Sequence, residues 1–180
     1  MLDLAKAILS GVNKAIELGI ADPDRLAVMG HSYGGYTTLA LIVQTDRFKA
    51  AISIAGESDL IGSYGEMGDD ASAYGVAIAE RGQGAMGGTP WERRERYIEH
   101  SPFFYFDRIQ TPLLIVQGSR DTAVAPFLGD QIFVALRRLG KKAEYARYEG
   151  EEHSPSQGWT YDHQVDLSYR IIRWLDSNLK

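Results

Sequence analysis

A short apolar run followed by a helix-forming segment occurs four times along this chain, and that alternation restricts the fold more than any other feature. The runs cover 25–29, 49–55, 112–117 and 143–148, the last alternating apolar and polar residues as a strand does. The second reads KAAISIA and the third PLLIVQ, continuous apolar stretches of the kind that fill strands buried on both faces. Helical segments follow at 34–45, at a charged stretch 91–100, at 126–139 before Gly140, and at 163–179. One more precedes the first strand, where Leu4, Ile8, Val12 and Ile16 recur every four positions. The alternation predicts an α/β fold, a mostly parallel sheet of about four strands with helices on both faces.

A chain of 180 residues without repeats or a dividing linker reads as one domain. Its character changes over 61–88, which holds Gly62, Gly65, Gly68, Gly75, Gly82, Gly84, Gly87 and Gly88. So much glycine is a poor basis for regular structure, with room for a short helix at 71–81. The stretch is expected to cross one end of the sheet as an excursion of the lid type. Acids outnumber bases, 24 to 19, and no basic run occurs, so no nucleic-acid partner is expected. No apolar stretch reaches the ~18 residues of a membrane span, so no membrane partner is expected either. With no cysteine, disulfides, thiolate zinc sites and a cysteine nucleophile are excluded, and no metal or cofactor is read from the chain. Residues 1–20 lack the basic start and cleavage site of a signal peptide, which makes a cytoplasmic setting the expectation.

The chemistry centres on Gly30-His31-Ser32-Tyr33-Gly34, a G-x-S-x-G placed between a predicted strand and a predicted helix. A turn that tight lifts the Ser32 hydroxyl above the sheet edge, near the positive end of the helix that follows. A serine needs a base. His31 is expected to pack beside the elbow, His100 to help end a helix, and His163 to cap or decorate the last one. His153 instead follows the fourth strand, at the carboxyl end where open parallel sheets build their sites. The base needs an orienting carboxylate. Asp121 follows the third strand in Gly118-Ser119-Arg120-Asp121, and Asp59 after the second strand is the competitor, with a helix cap as its other reading. The choice of Asp121 gives the chain order Ser32, Asp121, His153, the nucleophile-acid-base order of α/β-hydrolases. The Tyr33 backbone N–H would receive the oxyanion; the 24 residues before the elbow strand contain no His-Gly-Gly-like loop to add a second donor.

These stretches resemble the prolyl oligopeptidase family of serine peptidases, in particular its acylaminoacyl-peptidase and dipeptidyl-peptidase branches. The resemblance is carried by ADPDRLAVMGHSYGGYTTL at 21–39, SPFFYFDRIQTPLLIVQGSRDTAV at 101–124, FVALRRLGKKAEYARYEGEEH at 133–153 and IIRWLDSNL at 171–179, and it loosens over 61–88. It implies one partial, truncated α/β-hydrolase domain over 1–180, with Ser32, Asp121 and His153 as a triad. It also implies hydrolysis of short peptides or acylated amino acids through an acyl-enzyme, with Tyr64 and Val124 lining the pocket for the residue before the scissile bond. Three departures stand out: the family's β-propeller, the first strands of its hydrolase domain, and the Arg or Asn often found two residues after the acid, where this chain has Ala123. They bring in two alternatives, a looser esterase and a weak or inactive remnant that needs a partner chain. Without earlier strands, 25–29 becomes an open edge, a template for pairing with a second copy or a separately encoded N-terminal piece.

Overall fold

The computed structural model describes residues 1–68 and 71–180; Asp69 and Asp70, inside the glycine-rich stretch, lie outside the described residues. Helix α1 (Leu2–Glu17) leads through a turn into β1 (Ala27–His31), α2 (Tyr33–Ile42) and β2 (Ala50–Ile54). Then come three short helices, α3 (Leu60–Tyr64), α4 (Tyr74–Glu80) and α5 (Arg94–His100), and a 3-10 segment (Pro102–Arg108). Strand β3 (Leu113–Gly118), α6 (Pro126–Arg138), β4 (Ala143–Tyr148) and α7 (Tyr161–Asn178) complete the chain.

The four strands form one parallel sheet in the order β1-β2-β3-β4. One face carries α1, α2 and α6, where Ala5, Leu39, Ile42, Ile132 and Leu136 pack with Leu113 and Ile115. The other is covered by α7, where Leu167 and Trp174 meet Ile52, Leu114 and Ala146. The Trp174 indole N–H also donates to the Ala51 carbonyl, at 3.1 Å. Every residue of β2 and β3 is buried, the polar Ser53 and Gln117 included, as befits largely apolar runs in strands covered twice. This is the α/β-hydrolase arrangement.

Two local expectations shift, and one is met. The 25–29 run, apolar enough on its own for a buried strand, forms β1 at the sheet edge expected of it; its residues alternate in exposure, and Met29 is 56% exposed. The reason is coverage: the α7 cluster reaches β2, β3 and β4 only. The last helix starts at Tyr161, two residues early, because the Glu151 carboxylate accepts from the N–H and hydroxyl of Thr160 and anchors that end. The 91–100 helix begins only at Arg94, since Thr89 and Glu92 form a reciprocal turn just before it.

Candidate active site

Strand β1 stops at His31 and α2 starts at Tyr33, so Ser32 alone makes the turn, at φ 58° and ψ −120°. A non-glycine residue there costs about 1–3 kcal/mol, sustained only if its surroundings impose it. They do: the Ser32 N–H donates to the Ile54 carbonyl at 2.9 Å. Glycine is demanded at position 30, where a Cβ would sit 2.1 Å from the Gly34 carbonyl oxygen. Tyr33 is the first residue of α2, so its N–H has no acceptor within the helix.

His153 lies in the loop after β4, 121 residues from Ser32, with its Nε2 2.8 Å from the Ser32 Oγ. Its Nδ1 lies 2.9 and 3.0 Å from the two carboxylate oxygens of Asp121. Asp121 is buried and further satisfied: Oδ1 accepts the backbone N–H groups of Ala123 and Val124, and Oδ2 accepts the Gln117 side-chain amide. A carboxylate so surrounded by N–H donors acts as acceptor, which assigns the proton to Nδ1 and leaves Nε2 to accept the serine hydroxyl. The competitor Asp59 caps α3, accepting from the Ile61 N–H, and bonds to Gln131.

The loop that carries His153 is tied down at several points. The Trp159 indole donates to the Glu152 carbonyl at 2.7 Å, and the Arg120 N–H to the Glu151 carbonyl at 2.8 Å. Burial alone would push the Glu151 carboxyl up, but bonds from Thr160 and His163 together hold it below the usual carboxylate value. The loop backbone also passes directly over the end of β3, so close that a Cβ at Gly118 would lie 2.4 Å from the Glu151 carbonyl oxygen. His31 departs from expectation. It is exposed rather than packed, its Nε2 donates to the His153 carbonyl at 2.8 Å, and its ring lies 4.7 Å from the His153 ring. Sequence reasoning missed this role, and missed Gln117, because both act on partners that only the fold brings near. His100 does close α5, and its carbonyl accepts the Tyr36 hydroxyl.

A cavity of about 700 Å³ opens at Ser32, lined there by Tyr33, Tyr36, Glu57, Leu60, Ala123 and Val124. Val124, one of the two residues the resemblance points to, is among those lining residues. Tyr64 is not among the lining residues: its hydroxyl donates to Glu80 at 2.8 Å and its ring meets Trp91 and Tyr97 edge-on, a packing role within the cluster of Leu60, Ala79 and Met86. Glu57 was not singled out by the sequence. Burial pushes its carboxyl up to about 7; the Ser63 hydroxyl donates to it and opposes that rise, while Asp59 and Glu66 add to it. Among the described residues no cluster of His, Asp and Glu has a metal-holding arrangement, and no helix is long and apolar enough to cross a membrane.

The sequence matches the prolyl oligopeptidase family over residues 4–180. The chain belongs to that family. It is 30% identical over 173 residues to YuxL, an uncharacterized peptidase of Bacillus subtilis, covering 96% of this chain and 25% of that protein. Among solved structures, the acylaminoacyl peptidase of Pyrococcus horikoshii superposes with a TM-score of 0.87 at 28% identity, over 98% of this chain and 27% of that one. A puromycin-hydrolyzing peptidase of Mycobacterium tuberculosis gives 0.80 at 32% identity, over 98% and 25%. The chain therefore spans about a quarter of the length of these family members.

Proposed function

We propose that this chain is a serine hydrolase that cleaves peptide or acyl-amino-acid bonds through an acyl-enzyme on Ser32. The observation that carries the reading is the 2.8 Å contact of Ser32 Oγ with His153 Nε2, with Asp121 behind the imidazole. As Oγ attacks the substrate carbonyl, its proton passes to Nε2, and the imidazolium is stabilised by Asp121. The carbonyl oxygen becomes an oxyanion facing the Tyr33 N–H. Collapse breaks the scissile bond, the departing amine takes the proton from Nε2, and the acyl group stays on Oγ. Water, deprotonated by the same nitrogen, then releases the acid and restores Ser32. Val124 and the tyrosines at the cavity mouth would hold the acyl side chain. Support for short peptides or acylated amino acids as substrates comes from family members such as the acylaminoacyl peptidase. Ala123 offers no side-chain donor for a peptide carbonyl, which favours esters as the more readily processed class.

The test is labelling by a fluorophosphonate. Covalent attachment at Ser32, absent in Ser32→Ala, is the expected result; a folded protein left unlabelled refutes the proposal. We further infer that the open edge at β1 pairs with a second copy or an N-terminal partner chain, supported by the exposed Met29 on an edge strand. Light scattering that shows a stable monomer of 20.0 kDa, indifferent to added partner, would refute that inference.

A further inference from the structure

Glu57 lies three residues beyond β2 and lines the cavity that opens on Ser32. Its neighbour Gly56 abuts Gly35, three residues past the nucleophile, so closely that a Cβ on Gly35 would lie 2.7 Å from the Gly56 Cα. That contact fixes beside the elbow the backbone from which the Glu57 side chain reaches the cavity. One neutral donor, the Ser63 hydroxyl, serves one of its oxygens. None of the ion pairs among the described residues includes it. A carboxylate withdrawn from water without a cation is costly, and proteins either pair such a group or let it take up a proton. Here the described residues supply no pair, and the group lines the cavity.

We infer that Glu57 is a specificity-determining residue that recognises a positively charged nitrogen on the substrate as its carbonyl reaches Ser32. The inference rests on the hydrolase reading above and names the substrate class: cationic amides or esters in preference to neutral ones of the same shape. An entering ammonium supplies the counter-charge that the fold lacks, and it forms charge-assisted hydrogen bonds with the free carboxylate oxygen. Two sources offer that nitrogen. One is the free α-ammonium of an N-terminal residue; the other is the side chain of a lysine or arginine residue with a blocked N-terminus. Both present the same cation, at different distances from the carbonyl.

Three p-nitroanilides separate the cases: Nα-acetyl-lysine, Nα-acetyl-norleucine and free norleucine. The wild type is expected to prefer one of the two cationic substrates over acetyl-norleucine by about tenfold to a hundredfold in kcat/KM, the range for a hydrogen bond to a charged group. Glu57→Gln, which keeps the shape and can still accept from Ser63, should reduce that ratio to near one. The ratio is what a merely structural role would not move. A ratio unchanged by Glu57→Gln overturns the inference while leaving the hydrolase intact. Calorimetric titration of Ser32→Ala with Nα-acetyl-lysine amide and with norleucine amide provides a readout free of turnover. Binding of either amide weakened at least about tenfold in the Ser32→Ala, Glu57→Gln protein supports the cation site even if no anilide is cleaved, an outcome in which only the hydrolase reading fails. No difference between the two proteins, or no binding of either amide to Ser32→Ala, overturns it.

Discussion

Gly118→Ala is a sharp test of how His153 is positioned. Gly118 ends β3 beneath the His153 loop, and a Cβ there would lie 2.4 Å from the Glu151 carbonyl oxygen and 2.5 Å from that of Glu152. Ordinary contact begins near 3.4 Å, so the loop must rise by about 1 Å. It cannot do so freely, because the Arg120 N–H bonds to the Glu151 carbonyl and the Trp159 indole to that of Glu152. Overpacking of this kind costs about 1–3 kcal/mol in stability. The effect on chemistry should be larger in proportion. His153 follows the displaced residues directly, and a 1 Å misplacement of a reacting group can lower the rate by about 10²-fold. The measurement is the rate of fluorophosphonate labelling of Ser32, made alongside a urea unfolding curve. A folded variant labelled about a hundredfold more slowly is the expected outcome. Wild-type labelling and an unchanged unfolding midpoint would show that the loop is not held over β3 as described.

Two further predictions concern His31 and Glu57. His31→Phe keeps a ring beside His153 but removes the donor to its carbonyl; loss of that bond should slow Ser32 labelling about threefold to tenfold, with no shift in the unfolding midpoint beyond about 1 kcal/mol. The Glu57 carboxyl sits at about 7 in the fold against 4.5 when unconstrained, so the folded state binds its proton more tightly. Its stabilising contribution is complete below the unfolded value and is lost as pH rises through the folded one, by up to about 3 kcal/mol between pH 4.5 and pH 7. Glu57→Gln removes this loss, so its stability relative to wild type should grow from pH 5 to pH 8 in urea titrations; a constant difference would mean that Asp59, Glu66 and burial do not act on Glu57 as described.

Much of the scaffold is legible in the chain because its causes are local. The fourfold spacing of Leu4, Ile8, Val12 and Ile16 is a property of one helix, and α1 forms there. The largely apolar runs of β2 and β3 report burial on both faces. The elbow is local too: a glycine that cannot bear a side chain, one strained serine and a helix start fall within five residues. The exposure of β1 is not carried by its own apolar run, because exposure depends on which neighbouring elements reach a strand and not on its own composition. Tyr64 shows the same limit, since an aromatic side chain among glycines does not say whether it meets a cavity or Tyr97.

The sequence by itself determined the parallel α/β scaffold and which residue types stand at the ends of its strands. Tertiary structure alone decided which of them meet. Ser32 and His153 are 121 residues apart, and Asp121 and His153 are 32 apart. Only the lateral order of β1, β2, β3 and β4 converts those separations into bonds of 2.8 and 2.9 Å. The same holds for Asp59 and Glu57, two acids separated by one residue in the chain. One is satisfied as a helix cap and the other is left facing the cavity, a difference set by the atoms packed around each carboxylate.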